Sequence, residues 1–192
     1  ATRPQAAALL GKAGYQQIGP TGLQGAAYTK PGDPFVLKLF SPSDTGYLMF
    51  INLCRAMQSP HFPVFKGQLV KVNDRYWGIR IERLRHAGAN QVRMVQLAGL
   101  YLGASRVLRR FREEMEQGID RRAEIKKRQD LVNSFRIHFP SQAQALDAIY
   151  THILSTNEDL YMPDVDMNNT GLRGNTLVFF DPVGTAVHSG TP

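Results

Sequence analysis

The 192 residues are 43% hydrophobic, enough to bury a core, and include a single cysteine, Cys54, which excludes an intramolecular disulfide and a cysteine-rich zinc site. No apolar run approaches the ~20 residues a membrane span requires, and the Ala-rich start lacks a signal-peptide core, so a soluble protein of a reducing cytoplasm is expected. The formal net charge of +7 raises nucleic acid or another anionic partner as a candidate.

Residues 1–14 read as a short helix or a loose arm ending at Gly14. Strand-like pieces follow at 15–18, 26–29 and 35–40, separated by a glycine-rich turn holding Gly19, Gly22 and Gly25 and by a Lys-Pro-Gly-Asp-Pro turn. This pattern predicts an antiparallel meander. Lys38 stands in the apolar run Phe-Val-Leu-Lys-Leu-Phe, where a lysine either lies on an exposed strand face or reaches for an anion. Glycines let backbone approach a phosphate, so Gly22, Gly25 and Lys38 form one candidate anion-binding unit.

Ser43-Asp44 caps a predicted helix over 45–58, which Pro60 and Pro63 end. Cys54 falls on it as a small core residue. Strands are expected at 65–72 and 76–81, then Glu82-Arg83-Leu84, and the Gly/Ala/Asn stretch 85–90 reads as a linker. The expected units are therefore residues 1–85 and 86–192.

Beyond the linker, helices are predicted over 91–115 and 121–138, interrupted near Gly118, and a third starts at Pro140-Ser141 with Ser141 and Gln144 as a capping box. Between Arg106 and Arg128 nine basic residues mix with Glu113, Glu114, Glu116, Asp120 and Glu124. That spacing reads as a solvated helix face with i,i+4 pairs, with nucleic-acid docking as the competing reading. The five histidines are scattered and read as surface or interface residues.

Residues 162–183 carry the chemistry. Asp164 is followed five positions later by Asn169, then by a Gly/Asn turn and an apolar strand over 176–180 ending on Asp181. A carboxylate for a substrate hydroxyl, a carboxamide oxygen for Mg²⁺ and a second carboxylate for the same metal are what phosphoryl transfer needs. Each also has a plain structural use: Asp164 as a loop cap, Asn169 as a turn residue, and Asp181 as a strand-end turn before Pro182.

These motifs resemble the protein kinase-like fold. Gly22, Gly25 and Ala27 stand at places of the glycine loop G-x-G-x-x-G-x-V, Val36-Leu37-Lys38 is similar to V-A-I-K, Asp164 and Asn169 are similar to H-R-D-x-x-x-x-N, and Asp181-Pro182-Val183 stands where D-F-G would be. The stretch 81–84, with Glu82 and Leu84, resembles the hinge that pairs with adenine. Asp44-Thr45-Gly46, Leu53-Cys54-Arg55 and Asp-Pro-Val together resemble the early protein kinases of short-tailed coliphages. The resemblance implies an α+β, minimal bilobal kinase-like fold, with an antiparallel β lobe carrying one helix and a mainly helical second lobe. It also implies an ATP- and Mg²⁺-dependent serine/threonine kinase acting on bacterial host proteins in the host cytoplasm.

The departures shape the alternatives. Met162-Pro163 replaces His-Arg, and Asp166 stands where protein kinases carry a lysine, so either transfer is slowed by the missing charge or another cation such as Arg173 supplies it. No glutamate lies between Lys38 and Gln58, so Asp44 is the candidate partner of Lys38, its other reading being the helix cap alone. With Pro192 eleven residues past Asp181, a kinase without an ordinary activation segment is expected. A kinase-like interaction module that has lost catalysis is the alternative function, and a nucleic-acid-binding protein is the rival from another class.

Overall fold

A computed structural model describes residues 3–18, 25–156 and 160–185. The chain divides into two compact units, Ala1–Gln58 with Pro63–Arg85, and Ser59–Phe62 with His86–Pro192.

In the first unit, strands β1 (Gln16–Ile18), β2 (Gly25–Thr29), β3 (Phe35–Phe40), β4 (Phe65–Lys71) and β5 (Trp77–Glu82) form one antiparallel sheet in the order β1-β2-β3-β5-β4. The period of two in β3 sorts its side chains between two covered faces. Leu37 and Leu39 join Ala26 and Tyr28 against Ala6 and Leu10 of helix α1 (Arg3–Lys12). Val36, Lys38 and Phe40 face the other way, where the Phe40 ring meets Tyr47 of helix α2 (Thr45–Ala56) edge-on at 5.0 Å, and Phe65 meets Tyr47 and Phe50.

The expectation of one helix beside the sheet is corrected, because the unit carries two. The stretch 1–14, read as a short helix or a loose arm, is the second helix: α1 sets Ala6 and Leu10 on the Leu37 and Leu39 face, with Ala7, Tyr15, Val72 and Tyr76 packed around them. The predicted cap on α2 is present: the Asp44 carboxylate accepts from the Tyr47 amide at 3.1 Å and the residue is buried. Burial pushes the Cys54 thiol up, which leaves it un-ionised and unreactive.

The second unit is built on helices α3 (Val92–Glu116), α4 (Arg122–His138) and α5 (Pro140–Thr156). Gly118, at φ +87°, turns the chain between α3 and α4 where the interruption was expected. Tyr101 of α3 stacks on Phe135 of α4 at 4.6 Å, and its hydroxyl donates to Asp147 of α5 at 2.6 Å while accepting from Arg136 Nε at 2.9 Å. One phenol thus ties together the three helices, and burial with the Asp147 bond pushes its pKa up to about 12. On the outer faces Arg109–Glu113, Arg110–Glu114 and Lys126–Asp130 form i,i+4 pairs. Among the described residues no helix is long and apolar enough to cross a membrane.

Short strands complete the unit. β7 (Tyr161–Pro163) pairs antiparallel with β10 (Val183–Thr185), and β8 (Thr170–Arg173) forms a hairpin with β9 (Thr176–Phe179), turned at Gly174 with φ +61°. A two-residue strand, β6 (Arg85–His86), stands at the chain boundary between the units. Segments of two to four residues are too short to show a period, so of these only β9 was expected.

The segment Ser59–Phe62 belongs with this unit. The Phe179 amide donates to the His61 carbonyl at 2.9 Å, and the Arg173 guanidinium donates to the carbonyls of Pro60 at 3.1 Å and Phe62 at 2.8 Å. His61 is not a surface histidine: it is 4% exposed, with Nδ1 2.7 Å from the Leu177 carbonyl and Nε2 on the Ser141 hydroxyl. A carbonyl only accepts, so Nδ1 carries the proton and Nε2 accepts from Ser141. Burial holds the imidazole pKa below its usual value, so it is neutral at pH 7. Ser141 therefore does not form the expected capping box. α5 instead starts at Pro140, and the Phe139 carbonyl takes the Ala143 amide at 2.9 Å.

Candidate functional site

The loop from β7 to β8 is shaped by its own polar side chains. The Asp164 amide donates to the Pro182 carbonyl at 2.8 Å, which carries the β7–β10 pairing one residue further. The Asp166 carboxylate accepts from the amides of Asn168 at 2.7 Å and Asn169 at 3.0 Å, an Asx turn that reverses the chain. Thr170, 1% exposed, closes the turn by donating its hydroxyl to the Asp166 carbonyl at 2.9 Å. Asp166 therefore builds the loop.

Asn169 joins the two acids. Its Nδ2 donates to the Asp164 carbonyl at 3.0 Å, and its own carbonyl accepts from the amides of Phe180 at 3.0 Å and Asp181 at 3.4 Å. With Nδ2 so engaged, the carboxamide oxygen is the pole left for a cation. The Asp164 carboxyl is held above its ordinary range, first by burial, then by the charge of Asp166, with a smaller push from Asp181 and an opposing bond from Asn169. Crowded negative charge of this kind is what a divalent cation relieves.

Among the described residues no three His, Cys, Asp or Glu side chains form a metal-holding group. A protein set of one carboxylate and one carboxamide suits Mg²⁺, which keeps waters and takes its remaining ligands from substrate phosphates. Gly184 lies against the site: a Cβ there would stand 3.7 Å from Asp164 Oδ2, which is ordinary van der Waals contact. Arg173, the candidate substitute cation, donates from Nη1 and Nη2 to the Pro60 and Phe62 carbonyls, which fixes its guanidinium against the segment 59–62.

The other candidate residues belong to the first unit. Lys38 Nζ sits 3.7 Å from the centroid of the Tyr47 ring, and Ala27 stands directly opposite Lys38 on β2. Because the Tyr47 amide is the donor to Asp44, these residues form one patch at the start of α2. Gly25 opens β2 opposite Phe40, and Gly22 lies outside the described residues. Glu82 is tied to Val64 twice, its amide donating to the Val64 carbonyl at 2.9 Å and its carboxylate accepting from the Val64 amide at 2.8 Å. The Arg83 amide donates to Pro34. In the stretch 82–84 this leaves the Leu84 amide as the donor with no partner among the described residues.

Sequence reasoning missed two residues that hold the site, His61 and Thr170. The Pro-His-Phe-Pro setting of His61 marked only the end of a helix, and a lone threonine carries no signal. No family model, curated protein or solved structure matches the chain.

Proposed function

We propose that the chain is an ATP- and Mg²⁺-dependent protein serine/threonine kinase of minimal, bilobal kinase-like fold. The observation that carries the reading is the bridge made by Asn169, which holds Asp164 on one side and the Asp181 backbone on the other. The sheet order β1-β2-β3-β5-β4, with α2 inserted between β3 and β4, adds support from the first unit. The resemblance to early phage kinases rests on the motifs alone, and bacterial host proteins as substrates follow from it.

In this reading Asp164 orients a serine or threonine hydroxyl and accepts its proton, and its raised pKa makes it a better acceptor. The Asn169 carboxamide oxygen and the Asp181 carboxylate hold Mg²⁺, which when bound neutralises charge on the transferred phosphoryl group. Lys38 pairs with phosphate oxygens, the glycines at 22 and 25 let backbone approach them beside Ala27, and in the stretch from Glu82 to Leu84 the Leu84 amide is the donor left for the adenine. Asp44 orients Lys38 from the cap of α2. The test is transfer from labelled ATP to proteins of a bacterial lysate. Mg²⁺-dependent labelling lost in Asp164→Asn is the expected result, and its absence from the wild type leaves a kinase-like interaction module.

The two readings of Asp44 separate by substitution. Asn is as good a helix cap as Asp, so Asp44→Asn should keep the melting temperature and lower transfer, whereas Asp44→Ala should lose transfer and also about 1 kcal/mol of stability. Unchanged transfer in Asp44→Asn would assign the residue to capping alone.

Burial and, after it, the charge of Asp166 shape the pH profile. Asp164 must be ionised to accept a proton, so activity falls as pH drops through its raised pKa. Asp166→Asn keeps an oxygen for the two loop amides and removes the neighbouring charge. The acid limb of kcat/KM should therefore move to lower pH in that variant.

The nucleic-acid reading draws on the basic stretch 106–128. Arg109, Arg110, Arg121, Arg122 and Lys126 are in ion pairs there, which favours a solvated face over a phosphate-binding one.

A further inference from the structure

A shallow groove, open to solvent and of about 770 Å³, runs between α3 and α4. Its depth comes from small residues on α3, Gly99, Gly103 and Ala104, set across from Leu131 of α4. Val165, the residue between Asp164 and Asp166, forms part of its lining, and Leu100 on the rim is 56% exposed. A Cβ at Gly99 would stand 3.3 Å from the Val165 carbonyl, so the helix approaches the loop as closely as a glycine permits.

The charges on the α4 wall are unbalanced. Lys126 is paired with Asp130, and Glu113 and Glu114 are taken by Arg109, Arg110 and Arg121. Among the described residues Lys127 has no ion-pair partner, and the Arg128 guanidinium, 5.0 Å from the Phe111 ring centroid, has no carboxylate on it. The groove therefore offers an apolar floor under two positive charges. The two cations favour an acidic occupant over a second copy of this chain, whose net charge is +7, and the apolar floor favours side chains over a nucleic-acid backbone. An extended protein segment, whose alternate side chains point to opposite sides, can set aliphatic groups on the floor and carboxylates at the cations.

We propose that this groove docks a segment of the protein substrate in which aliphatic and acidic residues alternate, placing it beside the loop that carries Asp164. The inference takes from the kinase reading only the identity of that segment as substrate. A fluorescein-labelled decapeptide of alternating leucine and aspartate, titrated with the full chain and followed by anisotropy, tests it without ATP. Saturable binding is expected, at least tenfold weaker for leucine–lysine and serine–aspartate counterparts.

Gly103→Leu fills the groove: a Cβ at 103 meets nothing within 4 Å, and leucine is the better helix former. It should weaken binding at least tenfold, as should the exposed reversal Lys127→Glu, which carries the test if the first variant fails to fold. Equal binding by both variants, or by the leucine–lysine peptide, overturns the proposal. With a serine appended to the peptide, Gly103→Leu should raise KM for transfer at least tenfold. Transfer with unchanged KM sinks the docking site and leaves the kinase standing, whereas groove-dependent binding with no transfer by the wild type does the reverse.

Discussion

Asp164→Asn is expected to lower phosphoryl transfer by about 10²- to 10⁴-fold, the usual worth of a positioned proton acceptor, and to raise the melting temperature at pH 7. Both effects have one origin. The folded chain holds the Asp164 carboxyl above its unfolded pKa through burial and the charges of Asp166 and Asp181, so the ionised form is a cost to folding. Asn removes the charge and keeps the shape.

The sign with pH follows directly. Where the folded pKa of a carboxyl exceeds the unfolded one, the folded state binds more protons between the two values, and stability is lost as pH rises through the folded pKa. The advantage of the variant should therefore be full above the folded pKa of Asp164 and vanish as pH falls from there to the unfolded value. Thermal melts of both proteins across pH 3–8, beside transfer assays at pH 7, check this. A variant that loses transfer and melts lower than the wild type would mean that Asp164 holds the loop together instead of straining it.

The second large effect is structural. Phe179→Ala should cost about 3–5 kcal/mol, the range for removing a fully buried aromatic ring. That is a large share of the ~5–15 kcal/mol that holds a typical protein folded. Phe179 is 0% exposed on β9, its ring 6.2 Å from His61, and its amide carries the bond to the His61 carbonyl. The cavity would loosen Ser59–Phe62 and the strand that leads to Asp181. Denaturant unfolding should show the loss, and Phe179→Leu should recover most of it. An alanine variant that unfolds at the same denaturant concentration as the wild type would exclude Phe179 from the core that supports the site.

Most of the regular structure was legible because its residues repeat at the right period. The alternation of 35–40 gave β3, the apolar spacing of 45–58 behind Asp44 gave α2, and Gly118 marked the break between α3 and α4. The order Asp164, Asn169, Asp181 was legible for another reason: the three lie within one loop and one hairpin, so their approach depends on local chain reversal. Chain order could not say what else each polar side chain does. Asp166 turned out to cap its own loop, Arg173 to hold Pro60 and Phe62, Glu82 to brace Val64, and Ser141 to serve His61 instead of its own helix.

By itself, then, the sequence determined the two periods, the breaks between elements and the types of group at 164, 169 and 181, because these depend on neighbours a few positions away. Only the tertiary structure decided which donors and acceptors are already spent. His61 and Leu177 lie 116 positions apart and Arg173 and Pro60 113, so no local pattern records their pairing. The same limit explains the groove between α3 and α4: Gly99, Gly103 and Lys127 become one surface only when two helices pack and Val165 is brought against them.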